Sequence, residues 1–537
     1  MAQSYDYVIV GAGAAGSVLA RRLSEGRQAS VCVLEAGMLD RSPYIRIPAG
    51  FVKMLHHPAF MWPYKSEPAE YTASRAIALP QGRLVGGSSS INGLVYSRGQ
   101  AADFDDWAAQ GATGWSYREV LPYFKRGERR IGPGDDQFRG RSGPLPVTDC
   151  DWPSVLCEAF IRGSAELGIP RNPDYNGASQ EGAGYFQRTI HKGRRVSCAN
   201  AFLHPAVREG GVDLRLHAPA ECILFDGTRA IGVRYPHGEV YARREVLICA
   251  GTLNSPRLLQ LSGIGPGTLL QQLGVPVLKD LPGVGENLRD HYTVRIAARA
   301  KDASSINQAS KGWRLGLEIA KWMAGRPSIL GLSPSLVHVY WKSRAELKRG
   351  DLQVLFTPGS YKEGQAYVLD DFPGMSCGAR KQRPESAGFV RARSREPAAA
   401  PLVQPNYLAH ESDREVTLAA LQLARRLMRT NAMAQYFVQE TLPGPQVRSD
   451  DELLDFARRR GSTAYHFIGT CKMGSARDRM AVVDPNLRVY GTRNLRVVDA
   501  SVMPQVPSAN TLAATVMIAE KAADLIRAAA PQGPGSS

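Results

Sequence analysis

The sequence predicts a protein of two domains: an α/β domain assembled from separated segments around a parallel sheet, and an α+β domain with an antiparallel sheet. Three observations lead to this fold class. The chain has 537 residues, too many for one compact domain, with the 44% hydrophobic and 22% charged residues of a globular protein. Its first forty residues follow the order strand, glycine turn, helix, strand. Parallel-sheet character returns only in the last eighty residues, after a middle region of different character.

The first unit begins with an apolar run at residues 5–10, which is followed by the glycine turn GAGAAG at 11–16. A helical pattern, SVLARRLSEG, leads to a second apolar strand, VCVLEAG, at 31–37. An apolar strand, an amphipathic helix and another apolar strand in this order predict a parallel βαβ unit.

The middle of the chain predicts the second domain. Residues 151–192 are rich in loop-forming residues, whereas 214–235 and 239–251 alternate like antiparallel strands with a DG turn at 226–227. Between 297 and 459 we predict a helix (GWRLGLEIAKWMAG), strands (SLVHVYWK, LQVLFTP, GFVRARS) and a long amphipathic helix from Asp413 to about Met428.

The last eighty residues return to the first domain. They supply a buried strand, LRVVDAS, and the long helix TLAATVMIAEKAADLIRAAA. We therefore assign 1–150, 193–296 and 460–530 to the discontinuous first domain, 151–192 and 297–459 to the second, and 531–537 to a flexible tail.

Composition excludes several functions. The net charge of +16 comes from basic residues that are dispersed and mixed with acidic ones, without a nucleic-acid-binding module, so it predicts a solvated basic surface. Eight cysteines without a CxxC pair predict reduced thiols and a cytoplasmic location, and ten histidines without zinc-ligand spacing predict no metal. No export segment and no apolar stretch of ~20 residues is present, which leaves peripheral association with the inner face of a membrane as the only predicted membrane contact.

The glycine turn carries the first chemical signal. Gly11, Gly13 and Gly16 follow a strand and open a helix, where the backbone can approach a pyrophosphate and place it at the positive helix N-terminus. Glu35 ends the next strand, 19 residues beyond Gly16, where a carboxylate accepts hydrogen bonds from a ribose diol and disfavours the 2′-phosphate of NADP. The motif predicts dinucleotide binding but does not separate NAD from FAD.

Further segments make that distinction. GRLVGGSSSIN at 82–92 and GTLNSPRLLQLSGIG at 251–265 resemble the two signature patterns of the glucose-methanol-choline (GMC) flavin oxidoreductase family. The resemblance extends through PGVGENLRDH at 282–291, HFIGTCKMG at 466–474 and VVDPNLRVYGTRNLRVVDASVMP at 482–504. The middle segments are most similar to the choline dehydrogenase and sorbose dehydrogenase branch. The resemblance implies FAD, a two-domain fold, and oxidation of a primary or secondary alcohol to an aldehyde or ketone.

The resemblance also implies cofactor-binding residues. The pyrophosphate and the adenosine ribose would be held by Gly11, Gly13, Ala14, Ala15, Gly16, Glu35 and Ala36, and the adenine edge by the backbone of Cys222. The flavin and ribityl chain would be lined by Val85, Gly87, Asn92, Gly93, Leu94, Val95, Tyr465, Asp499, Ala500, Asn510 and Thr511. Some family members carry a histidine before the Asn92 position that bonds covalently to the flavin. This chain has Ile91 there, which cannot form that bond, so we expect noncovalent FAD.

The catalytic pair that the resemblance implies falls on His466 and Asn510. A neutral imidazole is suited to take the hydroxyl proton while the carbon-bound hydride moves to flavin N5. Asn510 can hold the substrate oxygen, and it can also serve as N-cap of the helix that follows. The N-terminus of that helix would stabilise the negative charge of reduced flavin. For His291 we favour a structural role.

Three functions stay open at this point. We predict a dehydrogenase that passes electrons to a non-oxygen acceptor such as a quinone. The first alternative is an oxidase of the same fold that produces hydrogen peroxide, and the second is a noncatalytic dinucleotide-binding protein. The sequence determines neither the alcohol, of which choline is one candidate, nor the oligomeric state.

Overall fold

The structure, a computed structural model, describes residues 3–55, 57–365 and 368–529. The predicted tail at 531–537 lies outside these residues. The longer strands are β1 (Gln3–Val10), β2 (Val31–Leu34), β3 (Glu128–Ile131), β4 (Leu145–Thr148), β5 (Gly182–Tyr185), β6 (Val212–Arg215), β7 (Cys222–Asp226), β8 (Arg229–Tyr235), β9 (Gly238–Ile248), β10 (Glu286–Leu288), β11 (Tyr292–Ala300), β12 (Val337–Trp341), β13 (Leu352–Thr357), β14 (Gly374–Lys381), β15 (Gly388–Arg391), β16 (Leu402–Gln404), β17 (Phe437–Leu442) and β18 (Leu495–Val497). The longer helices are α1 (Ala14–Ser24), α2 (Ala101–Ala109), α3 (Tyr117–Gly127), α4 (Val155–Glu166), α5 (Ser255–Leu261), α6 (Gly312–Met323), α7 (Glu411–Met428), α8 (Asp450–Arg460) and α9 (Thr511–Ala529).

The first sheet contains the predicted βαβ unit. Its strand order is β6-β2-β1-β9-β8-β7, and β18 lies beside β9. β1 pairs in parallel with β2, with Tyr7 opposite Val31, and the apolar half of β1 is buried as its Val and Ile residues predict. β7, β8 and β9 are antiparallel, and the predicted DG turn joins β7 to β8. The parallel βαβ unit and its antiparallel extension are confirmed.

The last eighty residues return to this first sheet, as predicted. β18 pairs in parallel with β9, and α9 packs against α1 and α3. Glu520 of α9 is fully buried and accepts hydrogen bonds from Arg22 of α1 (2.9 Å) and Arg126 of α3 (2.6 Å). These charge-assisted bonds fix the C-terminal helix at the back of the sheet.

The second sheet is antiparallel and has the order β17-β11-β14-β13-β12-β5. α7 covers one face and begins at Glu411, two residues before its predicted start. The prediction of loop for 151–192 was wrong at α4, where Ser154 caps the helix by accepting from the Cys157 amide. Phe160 of α4 stacks on Phe356 at 4.2 Å, so packing against the sheet stabilises this helix.

We propose that the segments predicted for each domain form the two domains of the protein. Strand β11 spans the predicted boundary at 296/297, and we place all of it in the second domain.

A short late strand connects the two sheets. Ser462–Thr463 pairs with Tyr292 and Thr293 at the start of β11, and the chain then runs through His466 towards β18 of the first sheet. The HFIGTCKMG segment therefore lies where the two sheets approach each other. This crossing point is where the candidate site forms.

None of the helices in the described ranges combines the length and apolarity needed to cross a bilayer. The same residues contain no group of three or more His, Cys, Asp or Glu side chains arranged to hold a metal ion. The cytoplasmic location and the absence of a metal stay predictions.

Candidate active site

A cavity of about 850 Å³ lies between the two sheets. It begins where β1 and β2 end, passes both glycine-rich loops and ends at His466 and Asn510, a size typical of ligand sites. The predicted residues on its wall are Gly11, Gly13, Ala14, Ala15, Glu35, Ala36, Gly87, Asn92, Gly93, Leu94, Val95, Tyr465, His466, Asp499, Ala500, Asn510 and Thr511. Three predicted residues, Gly16, Val85 and Cys222, are not on the wall.

The two glycine loops form a cradle that side chains would fill. Gly11 has φ of +101°, and a Cβ there would lie 2.5 Å from the Cys249 carbonyl oxygen. A Cβ on Gly87, whose φ is +52°, would lie 2.8 Å from the Cα of Gly13. The N-terminal turn of α1 opens onto the cavity beside them, so its free N–H groups and positive dipole end suit a pyrophosphate. Gly16 does not line the cavity. Because it has no side chain, α1 can pack closely against the carbonyl oxygen of Gly11.

Glu35 lines the end of the cavity where β2 ends, at which the sequence predicts the ribose. Its carboxylate accepts hydrogen bonds from the backbone amides of Ala12 (2.9 Å) and Gly37 (2.8 Å). Burial raises the pKa of Glu35 to about 7, against the lowering effect of these two bonds. The amides fix the orientation of the carboxylate, whose other lone pairs suit a ribose diol.

Cys222 is not among the residues on the cavity wall. This residue starts β7 and pairs with Arg234 of β8, so its backbone belongs to the sheet. The wall at this end is formed instead by Ala218, Pro219 and Ala220, in the loop before β7. The predicted role of the Cys222 backbone at the adenine edge stays a prediction.

The far end of the cavity is formed by the N-terminus of α9. Asn510, Thr511 and Thr515 line it, and the Asn510 Oδ1 atom is buried without a hydrogen-bond partner among the described residues. Asp499 is engaged, because its carboxylate accepts from the Gly251 amide and the Ser255 hydroxyl. Together with the glycine cradle and Glu35, this unused polar group and helix end fit FAD. Ile91 is buried and has no atom that could bond to the flavin.

His466 and His291 form a directed hydrogen-bond chain. His291 Nε2 lies 2.5 Å from the Gln382 carbonyl oxygen, so this nitrogen must carry a proton and donate. In the neutral ring, His291 Nδ1 then accepts from His466 Nδ1, 2.9 Å away. His466 Nε2 is therefore the unprotonated atom, and it lies 2.9 Å from the Asn510 amide nitrogen, which donates to it. The tautomer of His466 follows from the carbonyl at the far end of the chain.

Asp290 holds the backbone of His466 in place. Its carboxylate accepts from the His466 amide (2.7 Å) and from the hydroxyls of Tyr407 and Thr463 (both 2.5 Å). The residue before His466, Tyr465, has φ of +66°, a conformation that costs a non-glycine residue free energy. The buried carboxylate and its donors stabilise this strained turn, which directs the imidazole into the cavity.

The surroundings keep both imidazoles neutral. Burial lowers the pKa of His466 well below its usual value of 6.5, and the positive charge of Arg380 and the neighbouring His291 lower it further. Burial and the same arginine lower the pKa of His291 to about 3. The geometry therefore presents one neutral ring nitrogen, with its lone pair directed to the cavity.

Sequence reasoning missed Asp290, Thr293 and Arg380, and it assigned His291 a structural role. Asp290 and His291 end the PGVGENLRDH segment, so the motif was a signal for them. Arg380 and Thr293 lie on β14 and β11 within ordinary strand patterns. Only the pairing of those strands brings them to the cavity.

Comparison with known families gives a match over most of the chain. Residues 5–293 and 384–519 match the N-terminal and C-terminal family models described as GMC oxidoreductase.

Two similar proteins are named oxygen-dependent choline dehydrogenase. One, from Photobacterium profundum, is 38% identical over 100% of this chain and 95% of its own. The other, from Klebsiella pneumoniae subsp. pneumoniae, is 40% identical over 98% of this chain and 96% of its own.

Among solved structures, the pyridoxine 4-oxidase from Mesorbium loti superposes with a TM-score of 0.87 at 32% identity, covering 97% of this chain and 98% of its own. A formate oxidase superposes with a TM-score of 0.92 at 23% identity, covering 98% of each chain, a likeness of fold alone.

Proposed function

Because this chain belongs to the GMC oxidoreductase family, an FAD-dependent enzyme acting on CH–OH groups, we propose that His466 is the base with which it oxidises its alcohol. The observation that carries the proposal is the lone pair of His466 Nε2, directed into the cavity by the chain of hydrogen bonds from Gln382. Bound FAD supplies the acceptor for the hydride that leaves the carbinol carbon. The hydroxyl proton passes to Nε2, and the product is an aldehyde or ketone.

The side-chain amide of Asn510 offers a donor nitrogen and an acceptor oxygen, which can bond two different partners. Its amide nitrogen donates to His466 Nε2, and its Oδ1 atom has no partner in the described chain. When an alcohol enters, its hydroxyl can replace the amide at Nε2 and the freed N–H can bond the substrate oxygen. Asn510 thus exchanges one hydrogen bond for another, and it orients the oxygen without accepting the proton.

We expect Asn510→Ala to slow flavin reduction about 10- to 100-fold, because one hydrogen bond to a developing charge is lost while the base stays. Anaerobic stopped-flow measurement of the reductive half-reaction checks this. The matched variant is Ser508→Ala, two residues away, whose hydroxyl bonds Asp103 rather than His466 and whose loss should leave the rate near the wild-type value. An unchanged rate in Asn510→Ala would remove Asn510 from the site.

The pH dependence follows from the same environment. Neutral imidazole is the active form and its pKa lies well below 6.5, so acid should not inactivate the base near that pH. Among the groups that hold His466, the Asp290 carboxyl, whose pKa burial raises to about 6, protonates first as pH falls. We expect the rate of flavin reduction to hold from about pH 8 to about 6.5 and to fall with an apparent pKa no higher than about 6. A pH profile with a midpoint at about 7 or above would contradict this.

We further propose that electrons pass to an acceptor other than oxygen, such as a quinone. Two similar proteins, an oxygen-dependent choline dehydrogenase and a pyridoxine 4-oxidase, favour oxygen as the second candidate acceptor. One experiment tests the reaction and the acceptor together. The purified holoenzyme is mixed anaerobically with a panel of alcohols, and then with air or with a quinone. Bleaching of the flavin by an alcohol supports the reaction, its absence with every alcohol opposes it, and recovery of colour identifies the acceptor.

A further inference from the structure

The second sheet contributes to the cavity wall a buried cation that the proposed reaction does not use. Arg380, near the end of β14, is 3% exposed and lines the cavity. Its Nε donates to Gln353 Oε1 at 2.7 Å, and its Nη2 atom has no hydrogen-bond partner within the described ranges. Burial lowers the pKa of Arg380 to about 10, so the guanidinium is charged at neutral pH. Burying a charged group with an unpaired donor costs free energy unless a partner accepts a hydrogen bond from it and offsets its charge.

A second unused polar atom lies beside this guanidinium. Val294 of β11 pairs with Ala379 of β14, so Thr293 and Arg380 are neighbours on the face of the sheet that lines the cavity. The Thr293 Oγ1 atom is buried and, like the Arg380 Nη2 atom, has no partner in the described chain. Thr293 lies two residues after His291 and Arg380 two residues before Gln382, and His291 bonds both the Gln382 carbonyl and His466, so the two donors lie near the proposed base.

The carboxylates on the wall are all engaged. Glu35 accepts from the backbone amides of Ala12 and Gly37, and Asp499 accepts from Gly251 and Ser255. Glu363 pairs with Arg460 at 2.6 Å. Within the described wall, no carboxylate is left to receive a cationic substrate group, whereas a protonated guanidinium and a hydroxyl are available to an anionic one.

We propose that Arg380 and Thr293 bind a carboxylate of the substrate, so that the alcohol this enzyme oxidises is a hydroxy acid. The inference rests on the proposed alcohol oxidation and narrows its substrate class. A guanidinium donates two parallel hydrogen bonds to a planar carboxylate, and a hydroxyl adds a third donor. A quaternary ammonium alcohol such as choline meets a like charge instead, where little water screens it. The substrate would then differ from the choline for which two similar proteins are named.

The test compares matched alcohols in anaerobic reduction of the holoenzyme. 4-(Hydroxymethyl)benzoate and benzyl alcohol differ by one carboxylate, and choline and 3,3-dimethylbutan-1-ol differ by one positive charge. We expect kcat/KM to favour the carboxylate over its neutral partner about 100-fold, and to disfavour choline against its neutral isostere by a similar factor. Choline oxidised as efficiently as the neutral isostere, or benzyl alcohol preferred over the acid, would overturn the proposal.

Variants separate this role from direct action on the reacting oxygen. Arg380→Gln should lower the acid-to-neutral ratio of kcat/KM about 100-fold, Arg380→Lys should retain part of it, and Thr293→Val should lower it several-fold. Arg299→Gln is the control, because Arg299 is exposed at the far end of β11, over the Phe372 ring, and does not line the cavity. An unchanged ratio in Arg380→Gln, with both alcohols slowed equally, would show that the arginine acts on the reacting oxygen and would overturn the proposal.

A binding measurement keeps the two proposals apart. Benzoate, which has no carbinol, should perturb the flavin absorbance of the wild-type holoenzyme and bind about 100-fold more weakly to Arg380→Gln. Equal affinity for both proteins would reject the carboxylate site even if alcohols are oxidised. Reduction by no alcohol, with benzoate bound as expected, would reject the proposed function alone. If Arg380→Gln does not fold, Arg380→Lys and Thr293→Val supply the same comparison.

Discussion

Replacing His466 with alanine should slow reduction of the bound flavin by an alcohol about 100- to 10,000-fold, the usual contribution of a positioned base. Its Nε2 atom carries the lone pair directed into the cavity, and no other neutral imidazole of the described site replaces it, since His291 Nε2 is committed to the Gln382 carbonyl. FAD should stay bound, because the glycine cradle and Glu35 lie at the other end of the cavity. Anaerobic stopped-flow absorbance gives the rate, and the flavin-to-protein ratio gives the cofactor content.

The control for this variant is His410→Ala. His410 is exposed at the N-cap of α7, where its side chain accepts from the Ser412 amide, so its loss affects a helix end and not the site. We expect reduction at the wild-type rate in this protein. A His466→Ala enzyme that keeps both its flavin and its full reductive rate would refute the proposed base.

Replacing Gly16 with alanine should destabilise the protein by about 3 kcal/mol and abolish FAD binding. The new Cβ would overlap the carbonyl oxygen of Gly11, which is backbone and cannot rotate away. Alanine favours a helix over glycine by about 1 kcal/mol, but overpacking of this kind costs more. α1 would move from the sheet, and its N-terminus would no longer face the pyrophosphate position. Urea unfolding of the apoprotein and the flavin content of the purified protein measure the two effects.

Gly13→Ala is the matched variant, because it should lower FAD affinity without lowering the stability of the fold. Its φ of −70° suits any residue, and a Cβ there has no neighbour nearer than the Cys249 carbonyl oxygen at 4.0 Å. The free energy of unfolding of the apoprotein should change by less than about 0.5 kcal/mol, whereas FAD affinity should fall because the methyl group enters the cavity. A Gly16→Ala protein as stable and as yellow as wild type would show that α1 does not depend on this contact.

The parts of the fold that the sequence predicted are those stabilised by local pattern. β1, α1 and β2 follow from the period of apolar residues and from the glycine turn, and α7 was predicted within two residues of its start. α4 was missed because the region around it is rich in loop-forming residues, and its helix is stabilised by Phe160 packing on a sheet strand far along the chain.

The sequence by itself predicted dinucleotide binding, because the glycine turn and Glu35 carry that chemistry in residue type and spacing, and its resemblance to the GMC family implied FAD and alcohol oxidation. The tertiary structure alone decided how the site is arranged. The tautomer of His466 follows from the carbonyl of Gln382, which is distant in the chain. The position of Arg380 beside Thr293 follows from the register of two antiparallel strands. Hydrogen bonds and charges act through space, so groups distant in sequence set the protonation and the polarity of the cavity.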